Sequence, residues 1–306
     1  FYSFDPQAAR SGSAAFVRDS DCLRCHGGTF VRGIPAVFVR SVFPGVTGEP
    51  LYRHGSEVVD DQTPFEKRWG GWYVTGYTGS VSHRGNVLAS EQDDQLVFTP
   101  TTKRPMTLGD YFDASDYLAG TSDVVALLVC EHQLAVQNSL TRAAFDCRKM
   151  LVYQKALQTD LKEPVTDEPT YDSVKSVFAH AVENVLDRLL CRGEAPLPDG
   201  ATGGEAFRRV FAQDAPRSRA GHALKDLRLR DHVFANRCSY LIYSDSFRSL
   251  PDPLKARIIA RLGDVLHGRD AGDRYSYIGK EEKQRIYDIL RETHPEIKLR
   301  WAESKS

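Results

Sequence analysis

Asp21-Cys22-Leu23-Arg24-Cys25-His26-Gly27-Gly28 places two thiols three positions apart and an imidazole directly after the second. This C-x-x-C-H spacing suits covalent porphyrin attachment. Two sulfurs so spaced reach the two vinyl groups of one macrocycle, and the adjacent imidazole then falls beneath the iron. The sequence therefore predicts one covalent haem c, tethered through Cys22 and Cys25 with His26 as proximal ligand. Gly27 and Gly28 remove side chains just after the ligand, so backbone can lie close to the ring. A zinc site would want a second Cys or His pair at matching spacing, but Cys130, Cys147, Cys191 and Cys238 are isolated singles. A redox dithiol would sit after a strand in a βαβ setting, and a plain disulfide has no use for His26.

The sixth iron position has three candidates. His83, in Ser80-Val-Ser-His-Arg-Gly-Asn86, lies on a Gly-bounded loop suited to reach over a haem face. His132 falls on the apolar stripe of a long helix, where the competing reading is a core histidine satisfied by a neighbour. Met106, after Arg104-Pro105, is the third, whereas Met150 reads as core filler. Trp69 and Trp72, in Arg68-Trp-Gly-Gly-Trp-Tyr73, are candidate walls of the haem pocket, and Arg68 or Arg84 could pair with a propionate through a two-pronged contact. The alternative is an ordinary aromatic core with solvated arginines.

The elements that must position these residues change character along the chain. Ile34 to Phe43, Leu51 to Arg53 and Gly71 to Tyr77 are β-branched or aromatic runs between Gly-rich turns, which predicts a small antiparallel sheet. From Ser122, a plausible N-cap, apolar residues recur every three or four positions from Val125 to Met150, predicting a long helix. A second helix is predicted over Tyr171–Leu190 and a loop over Asp199–Gly204. Another helix runs from an Asp252 cap through Pro253 to Gly268, and a last one from Lys280 to Thr293, ended by Pro295. The expected class is α+β: a haem-bearing region with short strands over residues 1–105, then a larger, mainly helical part over 106–306.

The composition narrows the partners. With 40 basic against 41 acidic residues and a net charge of −1, nothing suggests nucleic acid or an anionic membrane as partner. No stretch approaches the roughly 20 apolar residues of a transmembrane span. A mature extracytoplasmic chain, periplasmic after loss of a signal peptide, is expected. Six cysteines are too few to staple a chain of 306 residues. Cys130 and Cys147 would stand about 25 Å apart on one helix and cannot bridge, while Cys191 with Cys238 is permitted.

The motif set resembles an uncharacterised family of bacterial predicted cytochromes c. The likeness rests on Cys22 to Gly27, the Arg-Trp-Gly-Gly-Trp-Tyr-Val-Thr-Gly run of Arg68 to Gly76, His83 to Asn86, Glu131-His132-Gln133 and Cys238 to Ser244. It implies haem and an extracytoplasmic setting but no particular activity. The N-terminal layout is also similar to PAS-like haem c sensor domains.

Three functions follow as expectations. Electron transfer to or from a redox partner protein or within a larger complex comes first, because no nucleotide loop, H-E-x-x-H pair or G-x-S-x-G elbow accompanies the haem motif. A peroxidase-like enzyme with an open sixth position is the second, and a gas or redox sensor is the third.

Overall fold

Short apolar runs between turn-forming residues leave the N-terminal stretch little with which to build. The computed structural model of the chain describes all residues except 6, 7, 9, 10, 13–15, 32, 100–104, 116, 271 and 304–306. It divides into two compact units, Phe1–Phe38 and Val39–Ser306.

In the first unit, β1 (Tyr2–Phe4) pairs antiparallel with β2 (Phe16–Arg18), Ser3 opposite Val17. A single helical turn, α1 (Cys22–His26), follows, and then a 3-10 turn over Thr29–Val31. Val31, Ile34 and Ala36 form its small core, with Phe38 packed against them.

In the second unit, β3 (Val39–Val42) pairs with β4 (Ser56–Val59), Val39 facing Val59. The run expected as one strand from Ile34 to Phe43 is thus a strand only over its last part. Its expected partner, Leu51 to Arg53, gives way to a 3-10 turn at Tyr52–His54, and the pairing strand begins two residues later. A hairpin of β5 (Leu88–Gln92) and β6 (Gln95–Thr99) turns on Asp93 and Asp94, whose φ values of 50° and 60° put both in the left-handed region a two-residue hairpin favours.

Gly71 to Tyr77, also expected as a strand, forms no strand among the described residues, only isolated bridges of Thr75 with Asp123 and of Tyr77 with Thr202. Trp69, Gly71 and Gly76 have φ of 64°, 84° and 102°, which breaks the extended run. At Gly70 any Cβ would stand 2.1 Å from the Val42 carbonyl oxygen, so only glycine lets the two backbones meet. Asn86 substitutes for a strand partner: its Oδ1 accepts from Val74 N at 2.8 Å and its Nδ2 donates to Val74 O at 2.7 Å.

The helical period produces α2 (Val124–Asp160), 37 residues long. Its cap is Asp123 rather than Ser122, because the Asp123 carboxylate accepts from Val125 N and Ala126 N, at 2.8 and 3.1 Å. α3 (Asp172–Leu189) packs along α2 and buries Val174, Phe178, Ala181, Val185 and Leu189. Then come α4 (Glu205–Gln213), the ribbon of β7 (Leu227–Arg230) with β8 (His232–Phe234), and the short α5 (Asp245–Arg248). α6 (Asp252–Leu266) is preceded by Pro251 as its cap, one residue before the expected Asp252, and Pro253 sits in its first turn. α7 (Lys280–Thr293) has its expected bounds, and Pro295 both ends it and opens α8 (Pro295–Glu303), since proline is tolerated where a helix begins.

The class is α+β, with strands confined to two-stranded antiparallel ribbons among the described residues. One core lies among α2, α3, α6, α7 and α8; a smaller one gathers Trp69, Val74, Leu128 and Phe234. Among the described residues no helix is long and apolar enough to cross a membrane.

Replacing Asn86 with alanine removes both hydrogen bonds to Val74 and leaves a left-handed backbone (φ 64°) without its favoured residue. Asn86→Ala is expected to lower stability by about 2 kcal/mol, read as a shifted urea midpoint with an unchanged slope.

Candidate functional site

In α1 a spacing of three and four residues returns to the same side of a helix, so Cys22, Cys25 and His26 emerge on one face. Both thiols are free, Cys22 half-buried and Cys25 exposed. The turn closes tightly: a Cβ at Gly28 would stand 2.7 Å from the Arg24 carbonyl oxygen, and the Gly28 carbonyl accepts from Gly33 N at 3.0 Å. The chain then doubles back, so that Ala36 N donates to His26 O at 2.9 Å.

That return also fixes the His26 ring. Its Nδ1 lies 3.0 Å from the Ala36 carbonyl oxygen. A carbonyl only accepts, so Nδ1 carries the proton and the neutral ring keeps its lone pair on Nε2. Iron-ligating histidines are held in this way by their second nitrogen. The rings of Phe1 and Phe38 flank the imidazole at centroid distances of 4.8 and 4.9 Å. In the same unit Phe4, Phe16, Val17 and Leu23 are exposed, Phe16 to 73%. Two free thiols, a correctly protonated imidazole and exposed apolar side chains form a donor set and a surface that fit a tethered haem.

The other sequence candidates all lie in the second unit. Arg68 and Trp69 are buried and converge on one carboxylate: Arg68 Nη1 and Trp69 Nε1 each donate to Glu131 at 2.6 Å. The remaining Arg68 donors go to the carbonyls of Thr63 and Asp61. Trp72 is exposed, with its indole N–H on Arg40 O at 2.9 Å. Arg84 donates to Glu66 O and stacks 4.4 Å from the centre of the Phe43 ring.

His132 is held on both sides, Nδ1 on Asp61 at 2.9 Å and Nε2 on Ser239 Oγ at 2.8 Å. Binding iron would require one of these bonds to open. His83 accepts from Gly85 N–H through Nδ1 at 3.0 Å and meets Trp69 edge-on. Its neutral ring therefore carries a proton on Nε2, and burial pushes its pKa down to about 4. Ligation through Nε2 needs that proton to leave. Met106 is 56% exposed, and Arg104 lies outside the described residues.

The structure thus brings Arg68, Trp69 and His132 into one buried network with Asp61, Glu131, Arg188 and Ser239. Arg188 bridges Asp60 and Asp61 at 2.9 Å each. Asp61 and Arg188 carry no local sequence signal, and Ser239 is legible only as part of the Cys238 to Ser244 run, since His132 stands 71 positions from Asp61 and 107 from Ser239. Cys147, Cys191 and Cys238 are buried free thiols and Cys130 is an exposed one. Among the described residues no three His, Cys, Asp or Glu side chains gather as ligands for a metal ion.

Comparison with protein-family models, curated proteins and solved structures returns no match.

Two buried carboxyls give the second unit a pH dependence. Burial raises Glu131 to about 7 against the pull of Arg68 and Trp69. Burial also raises Glu194 to about 7, and its Oε2 is buried without a partner among the described residues. An acid raised from 4.5 to about 7 holds its proton longer in the folded state than in the unfolded one. Its contribution is therefore full below the lower value and is lost as pH rises through the upper one. Urea unfolding across that interval should show stability falling as pH rises, and Glu194→Gln should flatten the fall by up to about 1.4 kcal/mol per pH unit.

Proposed function

We propose that the chain is a monohaem c-type cytochrome that exchanges electrons with a partner protein. Its haem is bonded to Cys22 and Cys25 and ligated by His26 Nε2. The observation that carries this reading is the His26 hydrogen bond to the Ala36 carbonyl, which leaves Nε2 basic and unbonded among the described residues. A core histidine such as His132 has both nitrogens occupied; a ligand needs one held and one free. The resemblance to predicted cytochromes c supports the same reading, which carries with it a periplasmic or other extracytoplasmic setting, where such tethers are made.

Residues Phe1 to Phe38 contain one histidine, His26, and no methionine. Residues 1–38 thus offer no second histidine and no methionine for the sixth position; His83 is the proposed ligand, with His132 and Met106 the alternatives, or else a small molecule fills it. This favours one alternative specifically: an open sixth site, as in a haem enzyme or a gas sensor. Were His83 to face that site, its Nε2–H would donate to a bound ligand rather than take up a proton, which suits gas binding better than peroxide cleavage.

The reading is tested on protein made together with a haem-attachment system, through oxidised and reduced spectra with and without carbon monoxide. One haem per chain that survives acid extraction, with a reduced spectrum indifferent to carbon monoxide, is the expected result. A shift with carbon monoxide selects the open-site alternative. A colourless protein, a Cys22–Cys25 disulfide or bound zinc overturns both. His26→Ala should keep the tether but lose the low-spin spectrum.

The unit around the motif also has little core of its own. Domains of about 40 residues usually need a disulfide, a metal or a cofactor to fold, and among the described residues its buried apolar side chains are Val31, Ile34 and Ala36. Trypsin should therefore cut haem-free protein at Arg18 and Arg24 and spare those bonds once haem is attached, leaving α2 and α3 intact in both forms.

A further inference from the structure

We infer that the cleft between α4 and the β7–β8 ribbon binds a small doubly charged oxyanion, a dicarboxylate or a phosphate monoester. The cavity, of about 650 Å³, lies within the range that holds small ligands. Arg208 projects from α4, and Arg228 and Arg230 from β7, to line it together with Asp199 and Asp226.

The acidic residues there are already engaged. Asp199 accepts from Ser80 N at 3.1 Å and from the Ser80 hydroxyl, and these bonds hold its carboxyl below the usual range. Asp226 takes Arg217 Nη1 at 2.9 Å and Ala223 N at 2.8 Å. Arg228 pairs with Asp231. Arg208 and Arg230 have no hydrogen-bond acceptor among the described residues, and Asp199 offers Arg230 only attraction at longer range. Two guanidinium forks are thus left for a ligand, and a fork matches the paired oxygens of a carboxylate or phosphate.

The backbone points the same way. Leu227 faces Phe234 and Arg230 faces His232, so the ribbon carries one extra residue between them. Leu229, within that bulge and buried, has φ of 56°, a conformation a leucine rarely holds. It is clamped there: its carbonyl accepts from Ala201 N at 2.9 Å, and Gly200 sits so close that a Cβ would stand 2.7 Å from the same oxygen. Bulges and strained residues recur where a protein re-aims side chains at a ligand. This one stands between the two strand arginines of the cleft. The local charge is also uneven, with seven basic against three acidic residues from Glu205 to Arg230 in a chain of net charge −1. No aromatic side chain lines the cavity for base stacking, so a compact oxyanion fits better than a nucleic acid.

The inference is independent of haem. The full chain is titrated with succinate and, separately, with inorganic phosphate at constant ionic strength, heat being measured. Saturable one-to-one binding of either probe is expected, weakened by about tenfold or more in Arg208→Gln and Arg230→Gln, while Arg209→Gln, altered on the same helix outside the cleft, binds as the parent. Preference between the probes identifies the ligand class. Saturation with neither, or an equal loss in all three variants, overturns the proposal.

Discussion

One buried carboxylate, Glu131, is the point on which the second unit turns. A carboxylate this deep is tolerated only with donors on both oxygens, and Arg68 and Trp69 supply them, each at 2.6 Å. The demand propagates outward. Trp69 adopts φ of 64° in the same tight turn that brings Gly70 against Val42. Arg68 spends its other donors on Thr63 and Asp61, whose carboxylate in turn holds His132 and Arg188. Removing Glu131 would leave a buried guanidinium unpaired, a far larger loss than the worth of a surface ion pair.

The residues that carry the resemblance to predicted cytochromes c meet in and beside this network. Arg68 and Trp69 bond Glu131, His132 bonds Ser239, Gln133 accepts from the Tyr240 hydroxyl at 3.2 Å, and Asn86 holds Val74. Their pairings explain why those residue types occur together without invoking haem: they close loops over one turn of α2. The motif of Cys22 to Gly27 belongs to the first unit. Under the proposed reading, architecture and chemistry are thus carried by different parts of the same motif set.

The legibility of the sequence follows the range of the interactions. Helices α2, α3, α6 and α7 were readable because amphipathic period and capping act within a few residues; the cap of α2 falls on Asp123 because its carboxylate, next to Ser122, takes the first N–H groups, whereas α6 starts at Asp252 itself, after Pro251 and without a side-chain cap. The strands were poorly readable. Gly71 to Tyr77 has strand composition but is bent by left-handed residues and secured by a side chain, and the β5–β6 hairpin was missed because its turn is Asp-Asp rather than a glycine pair. Helices α4 and α8 were missed as well, one following a Gly-rich loop and the other beginning at the proline expected only to end its predecessor. The C-x-x-C-H motif was legible because its spacing is local. The carbonyl that sets the His26 proton lies ten residues on, and no periodicity points to it.

The two units also gain stability differently, and this bears on the proposed chemistry. The second buries its apolar side chains in two large clusters and adds the Glu131 network. The first has Val31, Ile34 and Ala36 inside and leaves Phe4, Phe16 and Val17 outside, with no disulfide to constrain its unfolded chain. Each apolar side chain of this size contributes about 1.5–3 kcal/mol when fully buried, so covering that surface would add a contribution comparable with the existing core. Under the proposed reading a macrocycle tethered at Cys22 and Cys25 would do so, because its apolar faces would lie against side chains that otherwise stay in water. The same covering would lower the dielectric around the iron and restrict solvent access, two of the means by which a protein sets the potential of a haem. The feature that makes the first unit weak alone is then the one that would tune its electron transfer.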